Sequence, residues 1–174
     1  MAKAMRILSA LLLIACIALA VGPTASPPAR AETLPTADFV VIEKAERTVW
    51  VYSQGAVIHR ITGLQFGDAP QGHKQFEGDE RTPEGRYTID YGNPQSRFFL
   101  SLHISYPNAA DRAFAQAQGR SPGGEIFIHG QPNGLPDDRR MAGDWTDGCI
   151  ALTNAEMELL WQMVPDGTPI EIRP

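Results

Sequence analysis

The chain has 174 residues, with 15 Lys and Arg against 20 Asp and Glu, a formal charge of −5 at neutral pH. That length suits one domain with a real hydrophobic core. An acidic chain of this size has no broad basic surface, which excludes non-specific nucleic-acid binding, and beyond Val21 it has no apolar run long enough to span a bilayer.

The N-terminus reads as an export signal. Lys3 and Arg6 give a short positive start, Ile7 to Val21 is apolar and uncharged, and a Pro/Ser/Ala-rich stretch ends in Ala29-Arg30-Ala31. This is the layout of a secretory signal with a small-x-small cleavage site. The expected organisation is a signal peptide over 1–31, a short linker over 32–37 and one domain over 38–173. Leu13-Ile14-Ala15-Cys16 also resembles a lipoprotein signal, so three readings stand: release by cleavage after Ala31, retention of the short apolar run as an anchor, or a lipid anchor at Cys16. In each case the expected location is the periplasm or cell envelope. Residues 32–174 hold 12 basic and 20 acidic residues, a balance of −8, and a single cysteine, Cys149. That cysteine has no internal partner in an oxidising compartment.

Phe39 to Ile42 is a short apolar strand, and Thr48 to Ser53 is rich in β-branched and aromatic residues. Gln54-Gly55 fits a two-residue turn, after which Ala56 to Thr62 runs back. Gly63 to Gly85 is polar, glycine-rich and unperiodic, which predicts a long surface loop of the kind usually kept for function. The segments "RYTIDYG" and "RFFLSLHISY" read as further strands. In "PNAADRAFAQAQG", Asn108 caps a helix and Gly119 stops it. Glu125 to Ile128 is a short strand ending at His129. Thr153 and Glu156 have capping-box spacing. Met157, Leu160, Trp161 and Val164 then form one apolar helical face, and Pro165 ends it. "TPIEIRP" closes the chain as a strand. Strands dominate without alternating βαβ units, which indicates a β-rich α+β domain, mainly antiparallel.

Cys149 lies in "AGDWTDGCIALTN". Its neighbours Asp144, Thr146, Asp147 and Gly148 are polar or small and are poor core material, which favours a reactive thiol over a buried inert one. A thiol attacks as thiolate and needs a base or a positive neighbour. Of His59, His73, His103 and His129, only His129 sits at a strand end, followed by Gly130, just upstream of the cysteine. The intervening loop, rich in glycine and proline, can fold back and bring the two together. Gly148 lets a substrate carbonyl approach the backbone, where the N–H groups of Gly148 and Cys149 can face an oxyanion; a plain turn glycine is the alternative.

"IHG", a gap, and then "TDGCIALTN" resemble the L,D-transpeptidase (YkuD) catalytic domain family, whose signature is a histidine followed by Ser/Thr-His-Gly-Cys. "GHKQFEGDERTPEGRYTID" is similar to the family's glycine-rich segment ending in T-P-x-G. The resemblance covers most of residues 38–173 and implies a β-sandwich-like fold with two short helices. It makes Cys149 the nucleophile, His129 the general base, and Thr146 and Gly148 motif residues beside it. Asp147 departs from the family, standing where many members have a second histidine; Ala151 stands where many have Arg or Asn. The implied substrate is the peptidoglycan stem peptide. Cys149 would form a thioester at the L-centre of diaminopimelate, release D-alanine, and pass the acyl group to an amine on a second stem or a wall-anchored protein. Water in place of the amine would make the protein a hydrolase.

Lys74 and Arg97 are candidates to meet stem carboxylates, with Arg81 and Arg86 nearby and Gly130 beside the histidine. No cofactor is implied. Gly67 and Gly72 have P-loop spacing, but His73 precedes Lys74 and no Ser/Thr follows, so nucleotide binding is set aside. The histidines have no paired ligand spacing, so no metal is expected. A non-catalytic wall-binding module remains as the contrasting class; it differs in keeping its function when Cys149 is replaced.

Overall fold

The computed structural model describes residues 34–174. Residues 1–33, with the signal-peptide and Cys16 readings, lie outside the described residues. Ten elements follow in chain order: β1 (Phe39–Glu43), β2 (Thr48–Ser53), β3 (Ala56–Thr62), β4 (Gly85–Ser96), β5 (Phe99–Ile104), α1 (Ala109–Ala117), β6 (Ile126–His129), β7 (Ile150–Ala151), α2 (Asn154–Met163) and β8 (Thr168–Arg173). No helix among the described residues is long and apolar enough to cross a membrane.

The eight strands form one curled sheet in the order β3-β2-β1-β8-β4-β5-β6-β7. Five of its seven pairings are antiparallel; β1 runs parallel to β8, and β6 parallel to β7. The β-rich α+β reading therefore holds, and its sandwich-like form is a single sheet bent over its own core. The β2–β3 hairpin turns on Gln54 and Gly55, both at positive φ (51° and 78°), as a tight two-residue turn requires.

Alternation places one face of each strand in the core. Val40, Ile42, Val49, Val51, Ile89, Leu102, Ile104, Ile126, Ile128, Ile170 and Ile172 are buried together with Met157 and Leu160 of α2. The opposite faces of β5 and β6 carry Ser101, His103, Phe127 and His129, because the register pairs Ser101 with His129 and Leu102 with Ile128.

Both helices are capped as the sequence indicates. Asn108 accepts from the Ala110 and Asp111 N–H groups, and Thr153 from the Glu156 N–H, each within a reciprocal capping box. The Gly63–Gly85 stretch departs from the surface-loop expectation. Leu64, Gln65, Phe66, Lys74 and Thr82 are buried, so this segment is a wall of the molecule. Its burial does not show in the sequence, because its apolar residues are not periodic and its other enclosed groups, Gln65, Lys74 and Thr82, are polar and satisfied by specific bonds.

Candidate active site

The parallel pairing of β6 with β7 matches Ile128 with Ile150 and His129 with Ala151. Cys149, one residue before β7, therefore lies beside Phe127. The Phe127 N–H donates to Cys149 Sγ at 3.4 Å, and the thiol donates to the Glu125 carbonyl at 3.5 Å. Among the described residues Cys149 is the one free cysteine.

His129 ends β6 on the same face. It is buried, with 3% of its surface exposed, between two aromatic rings. Phe98 stacks on it at 4.7 Å and Trp145 meets it edge-on at 5.5 Å. His129 Nδ1 lies 2.7 Å from the Gly130 carbonyl. A carbonyl only accepts, so Nδ1 carries the proton and Nε2 has the free lone pair. Burial disfavours the imidazolium and pulls the His129 pKa down to about 4, with the Gly130 carbonyl pulling weakly the other way. Burial likewise pushes the Cys149 thiol up to about 11. The Phe127 N–H and Lys74 work against that shift, and Asp147 and Glu125 add to it. Both groups are thus neutral at rest: a thiol and an imidazole with an open acceptor nitrogen.

Cys149 and His129 line one cleft of about 990 Å³, together with Lys74, Arg97, Phe98 and Trp145. No hydrogen bond joins Cys149 Sγ to His129 among the described residues; the thiol is held by Glu125 and Phe127 instead. Catalytic contacts of this kind often close only with substrate bound.

The turn before Cys149 is braced from within and from the facing wall. Thr146 Oγ1 donates to the Cys149 carbonyl at 2.8 Å, and Thr82 Oγ1 donates to the Gly148 carbonyl at 2.9 Å. The Thr146 N–H donates to the Phe66 carbonyl at 3.0 Å. Gly148 has φ 115°, and a Cβ there would stand 2.4 Å from the Arg81 carbonyl oxygen. Only glycine fits, and the reason is contact between the two walls as much as the turn itself. The Gly148 N–H donates to Thr146 Oγ1 at 3.3 Å, a long bond that must be released if this N–H is to face an oxyanion.

The other sequence candidates separate. Asp147 is exposed and lines the cleft, as does Arg97, whose guanidinium lies 5.8 Å from the Phe98 ring. Lys74 also lines the cleft, but its ammonium is engaged with Asp79 Oδ1 at 2.9 Å and the Phe76 carbonyl at 3.2 Å. Gly130 is buried outside the cleft lining. A Cβ on it would meet Asn154 Oδ1 at 2.6 Å, so its geometry fits close packing and gives a substrate no access. Of the remaining histidines, His73 bonds Asp111 and His103 bonds Asp90. Among the described residues no group of three or more His, Cys, Asp or Glu side chains is arranged to hold a metal ion.

Three contributors escaped the sequence reading: Phe98, Trp145 and Gln65. Trp145 Nε1–H donates to Gln65 Oε1 at 3.3 Å, which also accepts from buried Gln131 at 3.1 Å. Gln65 Nε2 in turn donates to the Met141 carbonyl at 2.7 Å. This network pins the return loop between β6 and β7 and sets Trp145 against His129. The one signal available was an aromatic residue within four positions of the cysteine.

The chain resembles known proteins over nearly all of this described region. The model of the family described as L,D-transpeptidase catalytic domain matches residues 37–172. A putative L,D-transpeptidase of Escherichia coli, YafK, is 29% identical over 134 residues, covering 72% of this chain and 46% of that protein. The chain therefore spans about half the length of the curated relatives it matches. Among solved structures, the helical cell shape determining protein Pgp2 of Campylobacter jejuni is similar with a TM-score of 0.61 and 27% identity, covering 82% of this chain and 51% of that one. Bd1075 of Bdellovibrio bacteriovorus shares the fold, with a TM-score of 0.54 and 20% identity over 80% of this chain and 51% of its own.

Proposed function

The chain belongs to the L,D-transpeptidase catalytic domain family, and from that premise we propose that it is an exported cysteine acyltransferase acting on peptidoglycan stem peptides. Cys149 is the nucleophile and His129 the general base. The observation that carries the reading is the free thiol of Cys149 sharing one cleft, from adjoining strands, with a neutral imidazole whose Nε2 lone pair is open.

In the first step the Cys149 thiol proton passes to His129 Nε2 as Sγ bonds to the carbonyl carbon at the L-centre of diaminopimelate. The oxyanion is met by backbone N–H groups at Cys149 and Gly148, the latter turning away from Thr146 Oγ1. Collapse breaks the carbon–nitrogen bond to D-alanine, and the departing amine takes the proton from His129. An acceptor amine then attacks the thioester and gives up a proton to His129, which returns it to the cysteine sulfur. Water entering in place of the amine leaves a free carboxylate.

Exposed Arg97, on the cleft rim, meets a stem carboxylate by charge-assisted hydrogen bonds. The cell-shape role in Pgp2's description is in keeping with a wall substrate.

The test is mass spectrometry of the products from purified muropeptides, with Cys149→Ala in parallel. The reading requires D-alanine release and a joined or trimmed stem with the parent protein, and neither with the variant. Full turnover by a folded Cys149→Ala would end it.

A further inference from the structure

Two buried lysines brace the Gly63–Gly85 wall, and they differ in what is left over. An ammonium has three N–H bonds. Lys44 uses all of them, on the Gly72 carbonyl at 2.7 Å, the Thr82 carbonyl at 3.3 Å and Glu84 at 2.7 Å. Lys74 is 2% exposed and lines the cleft beside Cys149, yet it donates only to the Phe76 carbonyl and Asp79. One N–H remains over.

Its counter-charge is also diluted. Beyond Lys74, the Asp79 carboxylate accepts the N–H groups of Gln75 at 2.7 Å, Phe76 at 3.0 Å and Arg81 at 3.2 Å. Four donors share that one negative charge, and they hold its pKa below the usual carboxylate range despite burial. Of this pair, the ammonium is the charge that acts on the Cys149 thiol, drawing its pKa down.

Around Cys149 the other charges are mostly negative. Asp147 and Glu125 flank it, and Glu77 and Glu80 line the same cleft. His129 is held neutral, and Arg97 is exposed at the rim. A sulfur that must become negative among four carboxylates has one enclosed cation in its cleft wall.

We propose that Lys74 is a positioning residue for the thiol chemistry: its buried ammonium stabilises the negative charge of the Cys149 sulfur, and it does not grip substrate carboxylates. This deepens the acyltransferase reading and rests on Cys149 being the reactive group.

The test is the pH profile of Cys149 alkylation by iodoacetamide, an uncharged reagent, on the full folded chain. It is read by mass spectrometry at the peptide carrying Cys149, so that Cys16 does not contribute. Lys74→Met is expected to move the profile to higher pH by roughly half a unit to one unit, which is about a three- to tenfold slower reaction at a fixed pH on the rising limb. Lys74→Arg should restore most of the rate. Asp79→Asn, which frees the lysine charge, should move the profile the other way. Where Lys74→Met folds poorly because Asp79 is left alone, Lys74→Met/Asp79→Asn removes both charges and should still shift upward. With muropeptide, Lys74→Met should lower kcat and leave KM nearly unchanged.

A folded Lys74→Met or double variant whose alkylation profile superimposes on the parent overturns the proposal, as does a rise in KM with kcat intact. Turnover by Cys149→Ala would defeat the acyltransferase reading separately, because the alkylation profile reports on the thiol whatever the enzyme's reaction.

Discussion

His129 and Cys149 are placed by strand pairing, whereas the stretch facing them, from Gly63 to Gly85, is placed by buried charges. On the first side, register alone decides that Phe127 and His129 face the cleft while Ile126 and Ile128 enter the core. On the second, Lys44 binds Glu84, Lys74 binds Asp79, and His73 accepts the Glu84 N–H at Nδ1 while donating from Nε2 to Asp111. A strand wall tolerates changes of side chain, because its backbone ladder does the positioning. A wall of ion pairs does not, because removing one partner leaves a buried charge alone.

The contrast can be broken first on the strand side. His129→Ala should keep the fold and lose about 10²- to 10⁴-fold in rate, the range for a positioned acid–base group, as measured by initial rates of D-alanine release. An equal loss in His103→Ala, with His129→Ala active, would move the base to the neighbouring strand.

A second effect sharpens what burial does to the histidine. The native imidazole stays neutral down to about pH 4, while the unfolded chain takes up its proton near 6.5. The unfolded state therefore binds the extra proton between those values, and stability falls as pH drops through that window. The contribution is about 2–3 kcal/mol by pH 4. Thermal melts of the parent should lose stability from pH 6.5 to 4 more steeply than those of His129→Gln. Parallel curves would mean that the Phe98–Trp145 sandwich does not exclude water.

The smallest effect is on the other wall. Lys44→Met leaves Glu84 facing a gap, and because Glu84 retains some solvent contact (19% side-chain exposure) the expected cost is about 2 kcal/mol. Denaturant melts should show this loss, and the midpoint of Cys149 alkylation should hardly move, since Lys44 does not line the cleft.

Much of the fold was readable because its signals are local. Thr48 to Ser53 is rich in β-branched and aromatic residues, Gln54-Gly55 permits positive φ before the chain runs back, and Asn108 and Thr153 announce helix starts within three residues of the groups they cap. What was missed is non-local or too short. β7 has two residues, below the length at which any periodicity shows. Gln65, Gln131 and Trp145 meet across as many as 80 positions of sequence, and nothing in their own neighbourhoods marks them. Cys149 stood out as a candidate because Asp144, Thr146, Asp147 and Gly148 are poor core material, and His129 because it ends a strand just upstream of it. The burial of Lys74 was invisible because a lysine between polar residues reads as a surface charge until its partner Asp79 is seen beneath it.

Gln65 also bridges to Ala151 through its backbone, and that bridge has a further result. β7 is the last strand of the sheet, and its outer edge is already occupied: the Ala151 N–H donates to the Gln65 carbonyl at 2.9 Å, and the Gln65 N–H to the Ala151 carbonyl at 3.1 Å. Under the proposed function, this edge is closed to a stem peptide at Ala151, and recognition by strand addition, which reads main chain more than side chain, is not available there. A stem peptide bound as proposed lies across the cleft and is chosen by its functional groups. Mimics built from extended backbone should bind poorly there, and compact ones carrying the stem's charges in the right places should bind better.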